Sequence, residues 1–468
     1  MSRRTLAVLA AALTALAGAI VALVTTGVLG PGTARPGSTP SESTTQTQTP
    51  SSVPTVLSAA SGRPAVGAQP LDDVLEGPLN ADALGSRVGA AVIDLSTGST
   101  LLTERADLPL IPASTIKILT SAAALEVLGP GHRFTTRVVT GAVPDQLVLV
   151  GGGDPALTAS ENRDLDVATR LSVLADRTAA ALKETDPTAV ELVVDDSLFT
   201  GPAVDPDWRS SYVPTGVVGP VSALAVDGGR ISPGLRARSD DPGLDAGAEF
   251  AALLAAHGIV VRTGPTRGEA PEDATEIAAV RSPSLARIVE HVLLVSDNDG
   301  AEVLARHVAL ATGQSGTSAA AGEAVVETLN GLGIDMSGTE VMDGSGLARG
   351  SAISANVLVT TLATAAKSEH PDLRPVLTGL PVAQFTGTLD ERFDSPRAAD
   401  GAGVVRAKTG TLTGVSSLAG IAVSRDGHAY GFAVLADQIV NTEAARAAID
   451  DVAAALARCG CAHPGPGA

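Results

Sequence analysis

Lysine is nearly absent from this chain: of 32 basic residues only four are Lys, at positions 117, 183, 367 and 408, and the remainder are Arg. Arg serves a surface equally well, but its guanidinium does not give up a proton, whereas a buried ammonium becomes a neutral amine base. Lys kept in so few places marks positions where amine chemistry is needed. Aromatic residues make up only 2% of the chain, which leaves a core of Ala, Val and Leu, while 50 Gly and 29 Pro indicate many turns. Positive charge is short as well. A net charge of −19 argues against a nucleic-acid partner, because no basic patch is available to neutralise phosphates. The two cysteines, Cys459 and Cys461, are two residues apart. The loop between them closes too little chain to stabilise much, and with His463 alone nearby they read as a feature of a C-terminal tail, residues 459–468, and not as a metal site.

What is present begins with an export signal. Met1-Ser2-Arg3-Arg4 precedes an uncharged run from Thr5 to Leu29 that is longer than the apolar core of a cleaved signal and sufficient to span a bilayer. Residues 1–30 therefore read as a signal sequence or as a retained signal-anchor, with the Arg pair holding the N-terminus inside and everything after Leu29 outside. Residues 31–60 are rich in Pro, Ser, Thr and Gln, which cannot offset the entropy of ordering, and read as a disordered linker. The length predicts two or three domains. From Val88 the pattern predicts two strands about a Gly-containing turn, then a helix from Thr115 to Leu128 stopped by Gly129-Pro130. The stretch from 135 to 279 is rich in strand and turn signals. Helices follow over 285–295 and 301–310, then strands over 404–409, 417–424 and 429–436, and a helix over 442–458. An N-terminal strand pair sharing one sheet with the C-terminal strands makes residues 70–134 and 280–458 one discontinuous domain, with 135–279 inserted.

Three strings stand in order along this framework: Ser114-Thr115-Ile116-Lys117, Ser296-Asp297-Asn298 and Lys408-Thr409-Gly410. In the first, i and i+3 lie on one helix face, which brings the amine of Lys117 to the hydroxyl of Ser114, a nucleophile with its base. Lys117 acts as a base only if its proton affinity falls, through burial and through a second cation, for which Lys408 is placed. Ser296 is suited to passing a proton toward a leaving amine, and Asn298 to holding Lys117 and a substrate amide. Lys408 and Thr409 suit a terminal carboxylate, Gly410 gives a substrate strand clearance at the strand edge, and the N–H of Thr411 pairs with that of Ser114 as an oxyanion hole. Each string alone is weak. Their order on a helix, an interhelix loop and a strand is specific.

On these strings, and on Gly151-Gly152-Gly153-Asp154-Pro155, Asp196-Ser197-Leu198-Phe199 and Asp343-Gly344-Ser345-Gly346-Leu347 with Arg349, the chain resembles the class C low-molecular-mass penicillin-binding proteins, D-alanyl-D-alanine carboxypeptidase/endopeptidases. The resemblance covers residues 70 to 458 and includes a long insertion between the first two motifs. It implies an α/β (α+β) fold, with a β-lactamase/transpeptidase-like antiparallel sheet, flanking helices and a strand-rich inserted module. It implies a serine-type carboxypeptidase, with endopeptidase action also open, that acts on peptidoglycan stem peptides through an acyl-enzyme on Ser114 and is acylated by β-lactams. Lys117, Ser296, Asn298 and Lys408 are carried over as catalytic; Thr409, Gly410, Thr411 and Arg349 as substrate-binding. No metal or organic cofactor is implied. For Arg349 two readings stand, a contact with the peptide stem and a loop-bracing ion pair with Asp343. Trp208 and Tyr212 resemble the rim of the insert facing the cleft, with Ser210 and Ser211 where an acidic residue is frequent. Two other readings remain, a serine β-lactamase and a catalytically idle wall-binding or scaffolding protein.

Overall fold

The computed structural model describes residues 70–159, 169–184, 189–232 and 234–461. Residues 1–30, read as a signal, residues 31–60, read as a linker, and the last residues of the expected tail, His463 among them, lie outside the described residues. In chain order the main elements begin with α1 (Leu71–Leu79), β1 (Arg87–Asp94), β2 (Thr100–Glu104) and α2 (Lys117–Leu128). The inserted stretch carries β3 (Thr135–Thr140), β4 (Gln146–Val150), α3 (Leu171–Ala181), β5 (Ala189–Asp195), α4 (Pro242–Ala256) and β6 (Glu276–Arg281). Then come α5 (Leu285–Val295), α6 (Asn298–Ala311), α7 (Ser318–Gly331), α8 (Ala355–Ala366), β7 (Val405–Leu412), β8 (Val415–Val423), β9 (Ala429–Asp437) and α9 (Thr442–Arg458).

Strands β7-β8-β9-β1-β2 form one antiparallel sheet, in which β1 pairs with β9 from Arg87↔Asp437 to Asp94↔Tyr430. Every residue of β1 after Arg87 is buried, because both faces of the sheet are covered. Ala91 and Ile93, with Ala433 and Leu435 of β9, face the helical core of α2, α5, α6, α7 and α8. The alternate residues Val88, Ala90 and Val92, with Phe432 and Val434, face α1 and α9. Period-2 alternation thus feeds two cores from one strand.

The stretch 135–279 holds most of its strands in a second sheet, whose longer members are ordered β6-β3-β4-β5, with β4 and β5 parallel. It also contains two helices. Leu171, Leu174, Ala175, Thr178 and Ala179 form the buried stripe of α3, and α4 is capped by the Asp241 side chain on Leu244 N–H at 3.0 Å; both pack on this sheet. The strand signal was legible there because β-branched runs are compact, while the helical stripes are Ala-rich and weakly marked. Cys459 and Cys461, read as belonging to a tail, are instead buried beside α9 in the second core and are joined as a disulfide. No described helix is long and apolar enough to cross a membrane.

Candidate active site

Ser114 lies in a 3-10 turn, Ala113–Ile116, that leads directly into α2. The helix thus starts two residues later than its apolar pattern predicts. Ala113 has φ of 48°, the left-handed region that costs a non-glycine residue about 1–2 kcal/mol and turns the chain sharply just before Ser114. That turn rests on β7. A Cβ at Gly410 would lie 2.5 Å from the Pro112 carbonyl and 3.2 Å from Ala113 Cβ, and Ser417 on β8 donates to Pro112 O at 2.6 Å. Gly410 therefore supplies clearance for the turn that carries Ser114.

Lys117 is fully buried, and its Nζ meets three oxygens: Ser114 Oγ at 3.0 Å, Asn298 Oδ1 at 2.7 Å and the Ser345 carbonyl at 2.7 Å. A neutral amine has two N–H donors and one lone pair. Asn298 Oδ1 and Ser345 O can only accept, so they take the two N–H groups and turn the lone pair toward the Ser114 hydroxyl. Burial lowers the Lys117 ammonium to about 8, against the opposing pull of Asp343, Glu302, Asp297 and Asp299. Burial is the leading cause of that lowering, and the repulsion between the two amines that the sequence leads one to expect shows on Lys408. Lys408 is itself fully buried and held well below the ordinary lysine range, first by burial and then by the charge of Lys117, with Nζ on the Thr409 carbonyl at 2.9 Å.

The Ser-Asp-Asn motif spans the junction of α5 and α6. Ser296 ends α5 with φ of 59°, and the sharp reversal aims Asn298, the first residue of α6, at Lys117. Asn298 Nδ2 donates to Val217 O at 2.8 Å, so one of its two N–H groups serves the insert and not a substrate. Ser296 is not among the partners of Lys117. Asp299 is gripped by the insert too, accepting from Gly219 N at 2.7 Å and from Arg238 Nη2 at 2.6 Å.

β7 is the edge strand of the sheet. Ala407 N–H points off that edge to Pro381 O at 3.0 Å, and the period of two then sends the N–H and C=O of Thr409 and Thr411 off the same edge. Thr409 Oγ1 bonds Thr388 Oγ1 at 2.9 Å. Thus Ser114, Lys117 and Asn298 converge, while Lys408, Thr409, Gly410 and Thr411 line the adjoining strand.

Arg349 makes no ion pair with Asp343. Its Nη2 donates to the carbonyl of Thr413, just past β7, at 3.0 Å. Asp343 is saturated elsewhere, by Gly346 N, Leu347 N, Ala348 N, Ser345 Oγ and the indole N–H of Trp208 at 2.8 Å. Trp208 is buried and locks the insert onto the loop behind Lys117, and Tyr212 packs beside it. Asp154 makes a turn, accepting Ala156 N–H at 2.8 Å. Sequence reasoning missed Ser345, Glu302 and Val217. Ser345 and Val217 act through backbone carbonyls that no side chain announces, although the Asp-Gly-Ser-Gly-Leu string did mark the right loop.

The family model of the D-Ala-D-Ala carboxypeptidase 3 (S13) family matches residues 69–238 and 234–459. A carboxypeptidase of Mycobacterium tuberculosis is 37% identical over 383 residues, 80% of this chain and 81% of that protein. The carboxypeptidase DacB of Mycolicibacterium smegmatis is 36% identical over 444 residues, 92% of this chain and 89% of its own. Among solved structures, penicillin binding protein 4 of Haemophilus influenzae superposes with a TM-score of 0.68 at 20% identity, over 81% of this chain and 97% of that one, which shows a shared fold. With both halves of the chain matched and the site assembled from the three motifs, the chain belongs to the D-Ala-D-Ala carboxypeptidase 3 (S13) family.

Proposed function

We propose that the protein is a serine D-Ala-D-Ala carboxypeptidase in which Ser114 attacks the carbonyl of the penultimate D-Ala of a peptidoglycan stem peptide. The observation that carries this is the lone-pair geometry of Lys117, fixed by two carbonyl acceptors with Ser114 as the third partner. The neutral amine takes the hydroxyl proton as the C–O bond forms. The N–H groups of Ser114 and Thr411 receive the oxyanion, and Ser296 relays the proton to the departing amine. Terminal D-Ala leaves as a neutral amine, and water then releases the acyl group from Ser114.

The substrate enters as an added strand along residues 408–412 of β7, with its carboxylate at Lys408 and Thr409. A carboxylate arriving there favours the ammonium of Lys408, which burial otherwise disfavours. Arg349 serves this site by holding the Thr413 carbonyl at the end of the strand. β-Lactams acylate the same serine, and their tethered amine keeps them there. Export, with the enzyme working outside the membrane on the cell wall and with Thr5 to Leu29 cleaved or retained as an anchor, rests on the uncharged run behind Arg3-Arg4.

The test is intact mass of the purified protein after excess benzylpenicillin, followed over hours, beside Ser114→Ala. We expect a stable single adduct on the wild type and none on the variant, followed by release of D-Ala from stem peptides. Rapid drug destruction would instead make it a β-lactamase, and no adduct on either protein would end the enzymatic reading.

A further inference from the structure

Beneath Lys117 lie two buried carboxyl groups that the mechanism above does not use. Ser345 connects all three. Its carbonyl accepts from Lys117 Nζ at 2.7 Å, its N–H donates to Glu302 Oε1 at 2.8 Å, and its hydroxyl donates to Asp343 Oδ2 at 3.3 Å. The hub has no room to shift. A Cβ at Gly344 would lie 2.5 Å from the Ala301 carbonyl and 2.6 Å from Ala305 Cβ, Gly346 is pressed onto the Ala113 carbonyl, and Thr120 Oγ1 holds Gly344 O at 2.8 Å. The position of the Ser345 carbonyl, and with it the direction of the Lys117 lone pair, is therefore set by this packing together with the contacts to Glu302 and Asp343.

Two buried carboxylates so close to one amine are not both favoured as anions. Asp343 accepts five hydrogen bonds, one of them from the indole of Trp208. Glu302, 1% exposed, draws on the Ser345 N–H. Arg306, one turn along α6, hydrogen-bonds the carbonyls of Thr200, Gly316 and Pro202 and not Glu302, so its charge offsets the burial of Glu302 only in part. The groups facing Glu302 are thus Lys117 from α2, Asp343 from the loop and Arg306 on its own helix.

We propose that Glu302 is a positioning residue for Lys117 that holds the Ser345 backbone as a neutral, protonated acid while Asp343 carries the negative charge. This rests on the reading of Lys117 as the base for Ser114. Burial first, and then the Asp343 charge, push the Glu302 carboxyl up to about 8, the range in which Lys117 also titrates. A neutral Glu302 leaves Lys117 free to shed its proton, whereas an ionised one attracts the ammonium and opposes that loss. The two titrations are linked, and the observed steps belong to the pair.

The experiment is the pH profile of the second-order rate of acylation by benzylpenicillin in wild type, E302Q and E302A, with S114A as the blank. Gln presents the same oxygen to Ser345 and no charge, so E302Q should stay within about threefold of wild type near pH 7, with one titration step at a midpoint lower by about half a unit or more. E302A, which deprives the Ser345 N–H of its acceptor, should fall about tenfold or more at every pH. A merely structural role would not move the midpoint. An unchanged midpoint in E302Q, a loss at pH 7 as deep as that of E302A, or an E302A that keeps wild-type rates would each overturn the proposal. Should E302A not fold, as judged by circular dichroism, the E302Q midpoint decides alone. Failure of the functional reading looks different, since wild type would then form no adduct that depends on Ser114.

Discussion

At the residue scale the site turns on one amine. Lys117 is hydrogen-bonded to as many acceptors as an ammonium has protons, yet burial lowers its proton affinity to about 8. The sign of the pH effect follows. The folded protein binds this proton less tightly than an ordinary Lys, so the neutral base gains population as pH rises through 8. Acylation should increase about tenfold per pH unit below that point and level off above it, as stopped-flow with a chromogenic cephalosporin would show. Lys117→Arg keeps a cation but cannot supply a free base, and should lower acylation by about a hundredfold or more with the fold retained. Ser-x-x-Lys was legible because both partners are side chains three residues apart. Ser345 was not, because its contribution is a carbonyl brought from 228 residues away.

At the element scale, the edge strand β7 and the turn before α2 are one unit. Glycine at 410 lets Pro112 and Ala113 lie against the strand, so Gly410→Ala forces them apart. Overpacking of this kind costs about 1–3 kcal/mol, and a displacement of about 1 Å at the nucleophile can cost about a hundredfold in rate. Urea unfolding and acylation kinetics should show both losses. Gly131→Ala, with nothing within 4 Å of the added carbon, should show neither. Helices α5, α6 and α9 and strands β7 to β9 fall close to where apolar periodicity and turn residues put them. The 3-10 turn at Ala113 does not, since its left-handed backbone is held by packing on β7 and not by the propensity of Ala.

At the scale of the whole molecule, the insert is part of the active site's frame. Val217 O holds Asn298, Gly219 and Arg238 hold Asp299, and Trp208 holds Asp343. Arg238 is 2% exposed in its side chain against 18% for Asp299, so this pair is shielded from solvent in a way that most surface pairs are not. Arg238→Ala should cost about 1.5–3 kcal/mol and slow acylation as the start of α6 loosens, whereas Arg287→Ala, in an exposed pair with Glu290, should change stability by no more than about 0.5 kcal/mol. Thermal melts and adduct formation on the two variants check this.

The sequence by itself determined the proposed nucleophile and its base, the order of the three motifs and the elements that carry them, because those rest on residue chemistry and on spacings within one helix, turn or strand. Only the tertiary structure decided how the base is aimed and what lowers its proton affinity. Both depend on burial and on backbone groups from distant segments, and neither burial nor a carbonyl's position is written in the identity of any single residue.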